Sequence, residues 1–362
     1  MVRGGDYDGL VMVKERLIDA SVQAVEEAGY DLTLRPRTLA ECIGQEKVIE
    51  KIGIALTAAK QRGEPTEHIL LHGPPGLGKT TLAHVIAHEM GAHLKTSSGP
   101  ALTRPGDLMG ILTNLQRGDV LFIDEVHRLG AVVEEFIYPA MEDFRVDFTV
   151  DSGMHAKTIN IPLQPFTLVG ATTRAGLITA PLRARFGIQQ HLEFWSQGHL
   201  QQCLGRSARL LKIKCEEEAL ERLSYCSRGT PRIANRLLRR VRDYAQVHGD
   251  GVVTAALAEA ALKMEEIDEM GLDQLDRSFL KTLITTYKGG PAGIEALAAT
   301  LGEERDTLED VVEPYLLQIG LVARTRQGRV ATGAAYEHLG ATAPDKSNYQ
   351  EEKPGEEESM LF

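Results

Sequence analysis

The chain has 362 residues, which suggests two or three domains at about 100–200 residues each. Hydrophobic residues at 43% and charged residues at 25% exclude bulk disorder, and no apolar run approaches the roughly 20 residues of a membrane span. The net charge of −11 argues against a protein coated in nucleic acid by bulk attraction, yet leaves room for a local basic surface on one domain. The N-terminus lacks a basic segment followed by a long apolar one, and Cys42, Cys203, Cys215 and Cys226 lie far apart with no Cys-x-x-Cys pair. Reduced thiols in a cytoplasm are therefore expected, rather than a disulfide or zinc framework.

Residues 1–33 carry no strong start signal; Lys14 to Gly29 is an acidic, apolar-spaced stretch compatible with a short helix. The run His68-Ile69-Leu70-Leu71-His72 reads as a buried strand, followed by a Gly/Pro loop and by helical periodicity from Lys79 to Met90, closed by Gly91. A second buried strand, Val120 to Ile123, ends in Asp124-Glu125, and a third, Thr167 to Ala171, ends in Thr172-Thr173. Short apolar strands separated by helices indicate a parallel sheet with covering helices. Between the second and third strands, Val146, Phe148 and Val150 alternate with polar residues, Ser152-Gly153 can turn the chain, and Ile159 and Ile161 resume the alternation. That pattern is a β-hairpin inserted into an α/β domain.

After Trp195 only helices are expected. Thr230-Pro231 is a capping threonine followed by proline at the first helical position, and the helix runs towards Gly249; another begins after Thr254. From about Met270, helical stretches near 273–286, 291–300 and 307–319 precede two strand-like runs, Leu321 to Arg324 and Arg329 to Thr332, joined at Gln327-Gly328. Helices followed by a basic hairpin indicate a winged helix-turn-helix. Pro314 within the last helical stretch predicts a kink or a split. Residues 341–362, with six acidic and two basic residues, read as a solvated tail.

The chemistry is concentrated in two motifs. Gly73-Pro74-Pro75-Gly76-Leu77-Gly78-Lys79-Thr80 fits the full G-x-x-x-x-G-K-[ST] pattern between a strand and a helix. Its glycines, Gly76 and Gly78 among them, let successive backbone N–H groups face a phosphate at the positive end of the helix. Lys79 neutralises the β- and γ-phosphates, and the Thr80 hydroxyl ligates Mg2+. At the end of an apolar strand, Asp124 would hold that metal through its water shell and Glu125 would orient and deprotonate the attacking water. A protein that only binds nucleotide needs no second acid, so the pair favours ATP hydrolysis.

These motifs, with the phrases Phe122 to Leu129, Tyr138 to Asp143, Gly170 to Gly176, Gly229 to Arg240 and Gly302 to Thr307, resemble the AAA+ ATPases, and among them the motors that drive branch migration at Holliday junctions. The resemblance covers about residues 34–340. It implies an α/β P-loop domain with a parallel sheet and an inserted β-hairpin (34–196), a small helical lid (197–267) and a C-terminal winged helix (268–340), between a flexible N-terminal segment (1–33) and an acidic tail (341–362). It implies ATP and Mg2+ as cofactors, a hexameric ring on duplex DNA, a junction-binding partner protein and a possible resolvase. Thr173 matches the sensor 1 residue, Arg232 the sensor 2 residue, and Arg185 the arginine finger that reaches a neighbouring subunit's site, with Arg183 its near competitor. Leu34, Arg35, Ile43 and Gly44 match the adenine-side segment; Thr81, Glu142, Asp143, Phe144 and Trp195 join the nucleotide-binding set. The hairpin (Val146, Phe148, Val150, Ile159, Ile161) matches the partner-docking element. Arg305, Arg324 and Arg329, on the wing and its preceding helix with few acids nearby, match DNA-contacting positions; Arg326 has no such match. A clamp-loader-like or origin-loading switch shares the P-loop, sensors and finger, but the inserted hairpin and the wing favour the motor. A polypeptide-threading chaperone would carry an aromatic pore loop, and no such signal is present.

Overall fold

The structure, a computed structural model, describes residues 33–150 and 157–342. The Lys14–Gly29 stretch, the Ser152-Gly153 turn and the tail beyond residue 342 lie outside the described residues. Those described fall into two compact units, one ending at Gly271 and the other beginning at Leu272.

The first unit is built on a five-stranded parallel sheet of β1 (Ile69–His72), β2 (Leu94–Ser98), β3 (Val120–Asp124), β6 (Thr167–Thr172) and β7 (Ile188–His191), in the order β2-β3-β6-β1-β7. The central strands β1, β3 and β6 read as largely continuous apolar runs because both of their faces are covered. Leu70, Leu121, Ile123 and Leu168 point into one core with Leu108, Val133 and Ile137 of the helices Pro105–Leu112 and Ala131–Glu142. Ile69, Leu71, Val120, Phe122 and Val169 point into the other, with Ile52 and Leu56 of the helix Glu46–Arg62 and Ala83 and Ile86 of the helix Lys79–Met90. Strand β2, strand β7 and the helix Glu46–Arg62 were not anticipated from sequence; β2 is mostly half-buried or exposed and lacks an apolar run.

The hairpin pairs β4 (Arg145–Val150) with β5 (Lys157–Pro162), with Val146 opposite Ile161 and Phe148 opposite Ile159. Its base belongs to the core: Val146 is fully buried, Ile161 packs beside it, and Ile159 is 43% exposed. Val146 is therefore held inside the core beside the helix Ala131–Glu142, while Ile161 is half-buried at the same base.

The region after Trp195 is not purely helical. A two-residue parallel ladder joins β8 (Lys214–Cys215) to β9 (Val252–Val253), too short to leave an alternating pattern. Around it pack the helices Gln197–Leu210, Glu217–Tyr225, Pro231–His248 and Ala255–Met264. Thr230 precedes the third of these but does not cap it: its hydroxyl donates to the Arg228 carbonyl instead. Trp195 packs against both the sheet's second core and this helical core, which accounts for the two parts forming one unit.

The second unit contains the helices Gln274–Thr285 and Ile294–Leu301, then a helical run from Arg305 to Gln318, a hairpin of β10 (Val322–Arg324) and β11 (Arg329–Ala331), and a closing helix Gly333–His338. The expected disturbance at Pro314 takes the form of a π-helical turn, Leu308–Val312, immediately before the helix Glu313–Gln318. A proline has no N–H for an i→i−4 bond, and the wider turn accommodates that. Gly328 must be glycine: its φ is +144°, and a Cβ there would lie 2.4 Å from the Ala292 carbonyl oxygen and 2.6 Å from its carbonyl carbon.

Candidate active site

The carboxyl ends of β1, β3 and β6 open on one cleft, as expected for a parallel sheet. Gly76, Gly78, Lys79, Thr80 and Thr81 line it from the P-loop, Asp124 and Glu125 from β3, Thr173 from the end of β6, and Arg232 from the start of the helix Pro231–His248. Leu34, Arg35, Ile43, Gly44 and Trp195 form its other side. The structure thus brings together most of the residues singled out from sequence. It adds Glu41, Cys42, Gln45, Cys203 and Arg206, which carried no motif, and Asn235 from within the Gly229 to Arg240 phrase.

The P-loop approaches the lid closely. Gly76 has φ +77°, and a Cβ on it would lie 2.6 Å from Thr230 Cγ2 and 3.2 Å from Arg232 Cβ. Glycine is required here for conformation and for space together. Lys79 is 7% exposed, and its ammonium donates to the carbonyls of Gly73 (2.8 Å) and Pro74 (2.9 Å). Arg232 stands at the first turn of its helix, exposed, where the dipole gives a cation no stabilisation and an anion would.

Glu125 follows β3 with φ 49° and ψ 48°, a left-handed conformation that non-glycine residues seldom adopt. Its N–H donates to Asp124 Oδ1 at 2.9 Å. Its carboxylate accepts from the Thr173 hydroxyl (3.3 Å) and lies 3.1 Å from His127 Nδ1. The same nitrogen is 2.8 Å from the Thr172 hydroxyl. His127 and Thr172 were missed from sequence. Each is an ordinary residue beside a recognised one; His127 meets Glu125 from two residues along the chain, and the pairing of β3 with β6 brings Thr172 to His127.

Arg185 does not line this cleft. Its guanidinium lies 4.0 Å over the Tyr138 ring, donates to the Pro181 carbonyl at 2.8 Å and pairs with Glu142 at 3.1 Å. Glu142, Asp143 and Phe144, expected in the nucleotide-binding set, are also absent from the lining of this cleft. They stand at the C-terminal end of the helix Ala131–Glu142 and just beyond it, whereas the cleft forms at the carboxyl ends of the strands. Phe144 instead makes edge contacts with His68 and Phe166. Arg183 holds Gln189 at 3.1 Å.

The winged unit also departs from expectation, because its arginines are surrounded by acids. Arg329 is 7% exposed and bonds Glu313 through two nitrogens at 2.9 and 2.8 Å, with Glu309 at 3.5 Å. Contact between Arg329 and a phosphate would require that pair to open. Arg324 is exposed and 3.8 Å from Glu313; Arg305 is half-exposed and bonds Glu295 (2.9 Å) and Glu309 (3.2 Å).

All four cysteines are free, and burial pushes the Cys42, Cys215 and Cys226 thiols up to about 11. Among the described residues, no helix is long and apolar enough to cross a membrane.

Comparison with known proteins matches three consecutive family models. Residues 34–192 match the Holliday junction DNA helicase RuvB P-loop domain, 195–268 the RuvB AAA lid domain and 269–340 the RuvB C-terminal winged helix domain. Among solved structures, the Thermotoga maritima RuvB Holliday junction branch migration motor is similar at 50% identity and a TM-score of 0.79, over 86% of this chain and 100% of that one. Two point mutants of Thermotoga maritima RuvB, also 50% identical, give TM-scores of 0.81 and 0.80 over 86% of this chain and 99% and 100% of theirs.

Proposed function

The chain belongs to the RuvB family of Holliday junction branch-migration motors, and on that premise we propose that it hydrolyses ATP to translocate duplex DNA through a ring of its own copies. The observation that carries the reading is the cleft itself, where P-loop, Asp124, Glu125, Thr173 and Arg232 face one space while Arg185 stands outside it. Family membership makes the chain a P-loop ATPase that uses a divalent metal, binds DNA and assembles into oligomers.

The division of labour follows from chemistry. Backbone N–H groups of the P-loop and the start of the helix Lys79–Met90 take the phosphates, and Lys79 exchanges its carbonyl partners for phosphate oxygens. Thr80 and Asp124 offer only oxygen donors, a set that suits a hard ion such as Mg2+; when bound, the ion neutralises charge on the phosphates. Glu125, steadied by Thr173 and His127, orients and deprotonates the attacking water. Arg232 grips the terminal phosphate from the lid. Arg185 serves a neighbouring copy's site as a planar donor of charge, and Glu142, its ion-pair partner, belongs to that same face with Asp143 and Phe144.

In the winged unit, Arg305 and Arg324 meet DNA phosphates without reading bases, which suits a motor indifferent to sequence. Arg329 joins them only when Glu313 releases it. The outer part of the hairpin, where Ile159 is exposed, receives a RuvA-type junction-binding protein, and a RuvC-type resolvase acts on the same assembly. The ring is a hexamer working in the cytoplasm. ATP turnover with and without four-way-junction DNA and the RuvA-type partner tests the reading. Strong stimulation is expected in the wild type, and Glu125→Gln should bind ATP with turnover reduced at least about 100-fold. Turnover indifferent to junction and partner would reject the motor in favour of an ATP-controlled switch.

A further inference from the structure

We propose that Arg206 is a positioning residue that latches the lid to the adenine-side segment and so sets how fast nucleotide leaves; this rests on the cleft being the ATP site. Arg206 stands on the helix Gln197–Leu210 and lines the cleft. One guanidinium nitrogen donates to the Leu34 carbonyl at 2.6 Å, and the other to the Glu41 carboxylate at 3.1 Å. The two acceptors bracket the segment that walls the cleft opposite the lid.

That segment is attached at other points as well. Glu41 also accepts from the Arg37 N–H at 3.1 Å, and the Leu39 N–H donates to Glu89 at 2.9 Å, on the helix that begins at the P-loop lysine. The segment is thus tied to the P-loop domain through Glu89 and to the lid through Arg206. Further along, Glu46 pairs with His199 of the same lid helix at 2.9 Å. Opening the lid away from Leu34 must therefore break two charge-assisted hydrogen bonds made by one planar group, or drag the segment along. Arginine suits the task because its fork reaches a carbonyl and a carboxylate together, whereas a lysine ammonium on one stem is a single point charge. Arg206 faces the wall of the cleft and not Asp124 or Glu125, so its effect falls on nucleotide retention rather than on bond cleavage.

The test measures release of a fluorescent ADP analogue and steady-state ATP turnover in the full chain. Arg206→Gln should speed release about tenfold and raise KM for ATP similarly, with kcat within about twofold. Glu41→Gln removes the ion pair and leaves the Leu34 carbonyl bond, so about a threefold effect in the same direction is expected. Arg206→Lys should fall between wild type and Arg206→Gln. Unchanged release and KM in Arg206→Gln would overturn the latch, as would a fall in kcat at constant KM. Should Arg206→Gln fold poorly, Glu41→Gln decides alone: release at the wild-type rate rejects the proposal. Lys79→Ala separates the two readings. If wild type binds the analogue and Lys79→Ala does not, the ATP site stands whatever Arg206 does; a wild type that binds no nucleotide rejects the site and the latch together.

Discussion

The two units hold their arginines in different ways. In the first, Arg232 is exposed at a helix start where a cation has no intrinsic reason to sit, and Arg185 rests on an aromatic ring with one exposed carboxylate as partner. In the second, Arg329 is sealed between Glu313 and Glu309, and these two acids also attend Arg324 and Arg305. An arginine partnered by an exposed acid can exchange it for phosphate at little cost, because surface pairs contribute about 0–1 kcal/mol. A buried bidentate pair cannot, since separating it strands a charge in a poorly solvated place. Arg185 is thus placed to exchange its partner for another anion, whereas Arg329 fastens the winged unit together.

The largest effect that would sharpen this contrast is expected at Arg185. Arg185→Ala should leave nucleotide binding intact and lower turnover about 1,000-fold, the scale of arginine-finger loss. Mixing it with Lys79→Ala should restore part of the activity at mixed interfaces, and titration of one variant with the other is the measurement; no recovery at any ratio would place Arg185 in a purely structural role. Next in size, Glu313→Ala should destabilise the winged unit by about 3 kcal/mol, read by chemical denaturation, because Arg329 is left buried without its main partner. A loss near zero would mean that Arg329 relaxes into solvent, and the contrast between the units would disappear.

A smaller effect concerns the core beneath the first site. His68 is buried, its Nε2 3.0 Å from the Met141 carbonyl while its Nδ1 accepts from the Leu168 N–H at 2.9 Å. Both nitrogens are committed to the neutral ring, and burial holds its pKa below the ordinary histidine value. The unfolded chain then binds the proton more readily than the folded one, so stability is full above about pH 6.5 and falls as pH drops through that value. Melting temperature measured from pH 7.5 to 5.5 should decline more steeply in the wild type than in His68→Gln; parallel curves would remove His68 as the cause. Smallest of all, Arg324→Ala should reduce the salt dependence of DNA binding by about one phosphate contact, with log affinity against log salt flattening by about 0.9. An unaltered slope would exclude Arg324 from phosphate contact.

The legible parts of the site share one property: their function resides in main-chain geometry and local order. Gly76 and Gly78 permit the P-loop curve, Lys79 and Thr80 follow at set spacing, and Asp124-Glu125 follow an apolar strand, so adjacent residues carry the whole message. Arg185 was legible as a finger only through family resemblance, and nothing local to it announces Tyr138 or Glu142. Glu142, Asp143 and Phe144 joined the nucleotide-binding set only through family resemblance, and nothing local to them shows that they lie away from this chain's own cleft. Val146 and Ile161 alternate like Ile159, yet alternation identifies a face without saying how far along the strand the core extends.

The succession of strand, P-loop and helix from Ile69 to Met90, the strands ending at Asp124 and Thr172, and the pair of acids were determined by the sequence itself, because each depends on contacts within a few residues. The tertiary structure decided what required distant parts of the chain to meet. It set Thr173 against Glu125 and Thr172 against His127, closed Arg206 over Leu34 and Glu41, and turned Arg329 from an expected surface charge into a buried ion pair. The physical reason is that a charge or hydrogen-bonding group is assigned its role by whatever shares its low-dielectric neighbourhood, and that neighbourhood is assembled only when the fold closes.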